Sequence, residues 1–285
     1  MIYNILIKIK YFIAIVLLTI IFNQIEQPYP PLDLVTIPTS GTLPKGSFTL
    51  ESLLMNDGGI LPKISIGITD NFYIGLSYGI QDFISETKPQ LNKGKPEVQL
   101  KYRLFEENMS LPALVIGLDT QGKGRYLSRD DFNGNYNYFE RYEQKAWGWY
   151  LVASKNWSLL GNLGFHIGLN KNTWESDPRD ENISSPFKDK DLNFFFGFDK
   201  EINRSFSILL EYDAAFNDND PEIGADLFGR GKGYINGAVR WTVAPNIMIE
   251  IDFNDISKNY LSNNLQEEEN EYANRELKIV YFEKF

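Results

Sequence analysis

The chain has no cysteine and a single histidine. The first absence excludes disulfides and a lipid-bearing cysteine, and the second leaves one candidate base for any nucleophilic chemistry. A positive surplus is also missing, since Lys and Arg number 28 against 38 Asp and Glu, for a net charge of -10. Binding nucleic acid needs basic side chains to neutralise phosphates, so that partner is disfavoured. Long apolar runs are scarce as well. The run from Tyr11 to Phe22 falls short of the ~20 residues a helix needs to cross a bilayer. What the chain does have is aromatic residues: Phe 20, Tyr 16 and Trp 5, with a mean hydropathy of only -0.30. Rich in rings yet polar on average is the balance of a chain in which half of every strand faces water.

Period-two alternation carries the fold. Between Lys95 and Phe105, Val98, Leu100, Tyr102 and Leu104 share one parity and Glu97, Gln99, Lys101 and Arg103 the other. Phe72, Ile74, Leu76 and Tyr78 alternate with Tyr73, Gly75, Ser77 and Gly79, and Ile247, Ile249, Ile251 and Phe253 with Glu250 and Asp252. The apolar parity continues through Leu192, Phe194, Phe196 and Phe198, and through Phe206, Ile208, Leu210 and Tyr212 opposite Glu211 and Asp213. Strands of about ten residues suit a tilted membrane crossing.

The links between these segments alternate in length. Short ones are expected at Asp70 and Asn71, Glu106 to Ser110, Lys155 and Asn156, Glu201 to Asn203, and Ala244 to Pro245. Long ones are expected at Gln81 to Gly94, Gly122 to Arg141, Lys171 to Lys188, Asn217 to Gly231 and Asp255 to Ala273, with a smaller one at Met55 to Gly59. Tight turns on one side and long loops on the other are how membrane barrels are threaded. The sequence therefore predicts an all-β antiparallel transmembrane β-barrel of twelve strands over residues 46–285. Its short turns would face the periplasm and its loops the exterior of a bacterial outer membrane, with outer-membrane lipid around the wall. Trp147, Trp149, Trp157, Trp241 and Tyr281 are candidates for the aromatic girdles at the headgroup level.

Lys8 and Lys10 ahead of the apolar run read as a signal peptide over residues 1–24. Pro28, Pro30, Pro31, Pro38 and Pro44 then keep residues 25–45 extended and non-helical. That segment is expected as a periplasmic lead-in or a plug. At the other terminus Leu277, Ile279, Tyr281 and Phe285 share one parity. A terminal aromatic closing an alternating strand resembles the signal read by the barrel-assembly machinery, which makes Tyr281 and Phe285 the candidate membrane-assembly signal. Glu283 departs from that pattern.

Several short runs, in order, carry a more specific likeness. Ile37-Pro38-Thr39-Ser40, Gly46-Ser47-Phe48, the Gly58-Gly59 turn, Ile66-Gly67-Ile68-Thr69-Asp70 and Ile74-Gly75-Leu76-Ser77-Tyr78 come first. Lys101-Tyr102-Arg103-Leu104, Pro112-Ala113, Gly117-Leu118-Asp119, Gly122-Lys123-Gly124 and Tyr150 to Lys155 follow. Over its first half the chain resembles YjbH-type outer-membrane proteins. The resemblance implies a part in exopolysaccharide production or export, with polysaccharide or export components as partners. Many members are much longer, and this chain has room for one barrel.

Inward-facing charge is the first place to look for chemistry. Glu97, Lys101, Arg103, His166, Glu211, Asp213, Arg240, Glu250 and Asp252 are the candidate lumen groups. Both signs occur, so neighbouring strands can pair them across a narrow interior. Tyr126, Phe132, Tyr136, Tyr138 and Tyr142, interleaved with Arg, Asp and Asn, form a candidate glycan-contact loop, since flat rings flanked by polar groups suit sugar faces. The same loop equally suits packing over the barrel mouth.

An enzyme is not expected. Gly168 stands where a His-x-Ser pair with His166 would need its serine, and Ser158 is eight residues upstream. No cofactor or metal is implied either. Asn217-Asp218-Asn219-Asp220 offers oxygens but lacks the spacing of a calcium loop, and Gly229 to Gly233 lacks that of a phosphate-binding loop. Three roles remain open: a barrel assisting surface polysaccharide production or export, a passive porin-like channel for small solutes, and a structural or adhesive barrel acting through its loops.

Overall fold

The structure, a computed structural model, describes residues 26–55, 58–86, 88–128, 140–158, 161–176, 191–217, 233–258 and 274–285. Twelve strands build the wall: β1 (Ser47–Leu54), β2 (Ile60–Thr69), β3 (Phe72–Ser77), β6 (Glu97–Phe105), β7 (Ala113–Asp119), β10 (Gly148–Ser158), β11 (Asn162–Lys171), β12 (Asn193–Asn203), β13 (Phe206–Asp213), β14 (Tyr234–Ala244), β15 (Ile247–Asn254) and β16 (Asn274–Lys284). Each pairs antiparallel with its neighbours, and β1 pairs with both β2 and β16, which closes the barrel. Closure leaves no edge strand exposed in the wall, the condition for a sheet to sit in lipid. Two short hairpins complete the described elements. β4 (Ile80–Gln81) and β5 (Gln90–Leu91) extend from the end of β2, and β8 (Lys123–Ser128) pairs with β9 (Glu140–Gln144) apart from the wall.

Alternation has the consequence the sequence leads one to expect. One apolar side chain after another points outward and is at least a third exposed: Leu50, Ile64, Ile74, Tyr102, Ile116, Leu151, Ile167, Phe196, Ile208, Val239, Ile251 and Ile279, one from each wall strand in order. An apolar belt round the whole circumference far exceeds what a water-soluble surface carries. Lipid is the solvent that matches it. Trp149, Trp157 and Trp241 are on this outer surface. Trp147, expected among the girdle residues, instead packs edge-on against Phe195 at 5.0 Å, inside the barrel.

All five short links lie at one end, the turn end. Asp70–Asn71 turns where the sequence places it, and the link expected at Ala244 to Pro245 turns one residue later, at Pro245–Asn246. Two others do not turn where expected. β10 runs through Lys155 and Asn156 to Ser158, pairing Lys155 with Phe165 and Asn156 with Gly164. β12 runs through Glu201 to Asn203, and the turn falls at Arg204–Ser205. In both places a strand end rich in polar residues reads like a turn, because the wall there has already left the apolar belt. Register shifts fall at the turn end of β2, β6, β12 and β14, where bulges bend strands into tight turns at a barrel rim.

Residues 26–45, for which the sequence leaves a periplasmic lead-in or a plug open, lie inside the barrel. From Gln27, near Ser207 at the turn end, the chain rises into the lumen and reverses at Leu34–Ile37. There Leu34 N–H donates to the Ile37 carbonyl at 3.0 Å and Asp33 bridges Pro38. It then descends to Lys45, whose N–H donates to Asp70. Gly41 allows the two arms to meet, since a Cβ there would stand 2.0 Å from the Pro31 carbonyl oxygen. Gly46, with φ of 72°, turns the chain into β1. This conformation favours glycine because it has no Cβ.

Candidate functional site: a plugged lumen and its vestibule

Two kinds of contact hold the hairpin. On one side Leu34, Val35 and Ile37 pack against Val115, Tyr150, Val152, Phe195, Leu209 and Ala238, contributed by β7, β10, β12, β13 and β14. Lower in the barrel, Tyr29, Leu32 and Leu43 pack against Tyr73, Met248 and Val280. The interior is therefore a core rather than an open pore. Burying such side chains is the largest favourable term available to a lumen that excludes water.

On the other side the wall holds the hairpin by its backbone. Lys101 Nζ donates to the carbonyls of Leu32 at 2.5 Å and Thr39 at 3.2 Å. Arg240 Nη2 donates to those of Asp33 and Leu34, both at 3.0 Å, and Lys278 Nζ to that of Val35 at 3.1 Å. Glu250 sits between Arg240 and Lys278, bonded to the guanidinium and 2.5 Å from the ammonium. Arg240 and Lys278 thus each have both an acceptor from the plug and a buried counter-charge, the arrangement that makes an interior charge tolerable.

Glu211 meets the tip. Its carboxylate accepts the N–H groups of Val35 at 2.8 Å, Thr36 at 2.9 Å and Ile37 at 3.2 Å, together with the Thr36 hydroxyl and the Asn236 amide. Three consecutive backbone N–H groups make a concave nest for an anion. Here the wall supplies the anion and the plug the nest. Among the described residues Glu211 has no ion-pair partner, and its carboxylate is held by these donors.

Toward the loop end, above the tip, is a cavity of about 130 Å³. Gln99, Gln121, Gln144, Asn170, Asn193, Asn217 and Asn236 line it with amides, Tyr73, Trp147, Tyr150 and Tyr234 with rings, and residues such as Glu51, Lys63, Asp119 and Lys145 with charge of both signs. Amides offer donor and acceptor side by side, so such a wall suits a ligand rich in hydroxyls. A smaller cavity of about 30 Å³ lies beside the first arm of the hairpin, against Arg240, Met248, Glu250 and Val280.

Most of the sequence-predicted lumen groups face inward and are buried: Glu97, Lys101, His166, Glu211, Arg240, Glu250 and Asp252. Asp213 is half-buried at the loop end, accepting from Asn193 at 2.6 Å. Arg103 is at the turn end, where it donates to Asn71 Oδ1 and the Asp70 carbonyl. The candidate glycan loop is placed only in part, because Phe132, Tyr136 and Tyr138 fall outside the described residues. Tyr142 is buried and its hydroxyl donates to Glu97 at 3.1 Å. Tyr126 stands edge-on to it at 4.9 Å, with Lys93 Nζ over both rings. These two rings pack over the barrel mouth, so Tyr142 faces protein and not solvent.

Beside them Glu175 accepts the N–H groups of Tyr142 and Ala146, each at 2.8 Å, and bonds Asn172. Burial pushes the Glu175 carboxyl above the usual carboxylate range, against the lowering effect of those two N–H groups. Burial and the neighbouring Glu97 carboxylate likewise push the Tyr142 hydroxyl up.

His166 has the partners that reasoning along its own strand missed. Its Nδ1 is 2.7 Å from Ser154 Oγ and its Nε2 2.8 Å from Asp199 Oδ1. Ser154 and Asp199 come from the flanking strands, so register and not sequence spacing brings them together. A serine, a histidine and an aspartate in a row invite comparison with a nucleophile relay. Here, however, Ser154 Oγ already accepts the N–H of Ser40 on the plug at 2.9 Å, and none of the three residues lines either cavity. The relay fastens the second arm of the hairpin to the wall.

No family model and no curated protein sequence matches the chain. Among solved structures, it is similar to the KdgM porin, at 11% identity and a TM-score of 0.44 over 82% of this chain and 98% of that one. The NanC porin gives 10% identity and a TM-score of 0.42 over 83% and 99% of the two chains. Omp33 of Acinetobacter baumannii gives 8% and 0.42 over 84% and 97%. At TM-scores this low the likenesses add nothing to what the strand register already shows. The barrel is of the outer-membrane type by its own construction: antiparallel, even in strand number, closed, and apolar outside.

Proposed function

We propose that this chain is a bacterial outer-membrane barrel, closed at rest by its own N-terminal hairpin, that offers a hydroxyl-rich ligand a blind vestibule on its outer side. In this reading it assists exopolysaccharide production or export, with a glycan segment as the ligand and export components as partners. The observation that carries it is the vestibule. Seven amides and four rings gather above a plug that blocks passage, a lining suited to holding a sugar and unsuited to free diffusion. The family resemblance of the first half supports the polysaccharide assignment. Insertion by the barrel-assembly machinery is supported by Phe285, whose N–H donates to the Gly46 carbonyl at the seam while its side chain stays exposed.

A passive channel is the second reading, favoured by charges of both signs along the inner wall. Single-channel conductance of the refolded protein in planar bilayers, combined with Trp147 fluorescence during oligosaccharide titration, separates the two. The proposal expects a silent wild-type barrel whose fluorescence responds to sugar. Steady conductance steps in the unmodified protein would replace it with the passive channel. A silent barrel indifferent to every oligosaccharide would remove the glycan role and leave the loops as the working surface.

A further inference from the structure

One polar cluster on the inner wall serves neither the plug nor the vestibule. It lies at the loop end of β15 and β16, where Asp252 faces Glu276 and Asn254 faces Asn274 across the ladder. Residues two apart on a strand share a face, and directly opposed residues have Cβ atoms about 4.5–5.5 Å apart. The four side chains therefore form one inward patch. Asp252, Asn254 and Glu276 are 1%, 2% and 4% exposed. Both carboxylate oxygens of Asp252, Oε2 of Glu276 and the Oδ1 atoms of Asn254 and Asn274 are buried without a hydrogen-bond donor. Buried polar atoms are almost always partnered, so five such oxygens side by side require an explanation.

The cations nearby do not supply one. Lys123 Nζ forms an ion pair with Glu276 Oε2 at 2.6 Å, without the geometry of a hydrogen bond, and leaves Asp252 untouched. Lys278 Nζ is 3.9 Å from Asp252 and bonded to Glu250, which also holds Arg240. Asp252 is thus left with no cation closer than 3.9 Å and no donor on either oxygen. None of the four residues lines either cavity, so the oxygens are enclosed and not turned toward a sugar.

We infer that Asp252, Glu276, Asn254 and Asn274 form a binding site for a hard divalent cation, calcium in preference to magnesium. Calcium takes six to eight oxygens at flexible angles from carboxylates, amide carbonyls and water, whereas magnesium demands a near-ideal octahedron. The patch offers two oxygens from Asp252 and one from each of the other three, leaving water to complete the shell. The described residues hold no group of three or more acidic, histidine or cysteine ligands. The amide oxygens of Asn254 and Asn274 are therefore essential to this set. Occupancy would join the last two strands at their loop end and relieve the opposition of Asp252 and Glu276.

Calorimetric titration of the refolded, chelator-treated full chain with calcium chloride tests the site, alongside the temperature at which the barrel loses its fast-migrating form in gels. The expected result is one calcium bound per chain and a raised midpoint. Asp252→Asn with Glu276→Gln should weaken binding at least tenfold and abolish the midpoint shift. A variant with Glu267, Glu268 and Glu269 changed to Gln should keep both. Should the double variant fail to fold, Asn254→Leu removes an oxygen without altering charge and should weaken binding likewise. Absence of binding to the folded wild type, or binding that survives these changes at the cluster, overturns the inference.

Discussion

On the side of the lumen built by β7, β10, β12 and β13, the hairpin presents side chains, and the wall answers with Val115, Val152, Phe195 and Leu209. On the side built by β6, β14 and β16, beside the lower apolar contacts with Tyr73, Met248 and Val280, it also presents carbonyl groups, and the wall answers with Lys101, Arg240 and Lys278. Apolar contact has no preferred direction and weakens by degrees as atoms are removed. Charged contact is directional, and removing one partner leaves the other buried and uncompensated. The same segment is thus held by a yielding grip and by a brittle one.

The brittle side gives the largest expected effect. Glu250→Gln takes the counter-charge from both Arg240 and Lys278 and should destabilise the folded barrel by about 3–5 kcal/mol, measured as the urea midpoint in detergent or lipid. A loss below 1 kcal/mol would show that the plug carbonyls alone satisfy those cations. On the yielding side, Ile37→Ala should cost about 2–5 kcal/mol, read as faster proteolysis of the hairpin with the wall intact. Equal protease resistance would mean that the apolar side contributes little.

Glu211→Gln separates the two grips at the tip. It keeps the shape but replaces a charged acceptor of three backbone N–H groups with a neutral one, and hydrogen bonds to charged groups contribute about 1.5–3 kcal/mol each. Brief conductance steps should appear in a barrel that is otherwise silent. Continued silence would assign closure to the apolar packing.

The smallest effect is a matter of pH. The Glu175 carboxyl binds its proton more tightly in the fold than in the unfolded chain, because burial outweighs its N–H partners. Its contribution is therefore fully present below the ordinary carboxylate range and is lost as pH rises through the raised value. Hydrogen exchange at the Ala146 amide, which Glu175 holds, should become less protected across that window. Glu175→Gln should flatten the response, and an unchanged slope in that variant would place the titration elsewhere.

The wall was legible in the sequence because it is built from a local, repeating signal. Each of Val98, Leu100 and Tyr102 declares its face by parity alone, and the strand takes the register that parity demands. Strand ends were less legible: Lys155, Asn156 and Glu201 continue strands that have left the apolar belt, where polarity no longer marks a turn. The site was legible only in its wall half. Glu211, Arg240 and Lys101 stood out as inward charges, but their partners are backbone groups about 60–210 residues away in sequence, and backbone leaves no trace in composition. The prolines of residues 26–45 announced an extended chain without saying what surrounds it. The partners of His166 came from two other strands, and Trp147 joined the core because residues 29–43 brought one into the lumen.

Gly46 joins the plug to the strand that closes the barrel. Its N–H donates to the Gly67 carbonyl, and its own carbonyl accepts from Phe285. The hairpin is therefore a doubled thread anchored at the rim and not a separate cork. Tension on the Gln27 arm from the turn side would first free the Tyr29 and Leu32 contacts, then the Glu211 nest, then the Ser40 tie, and only last load the seam. Nearly twenty residues of slack, about 60–70 Å when drawn straight, separate the first event from the last. Plug and wall are thus one continuous length of chain from Gln27 to the strand that closes the barrel.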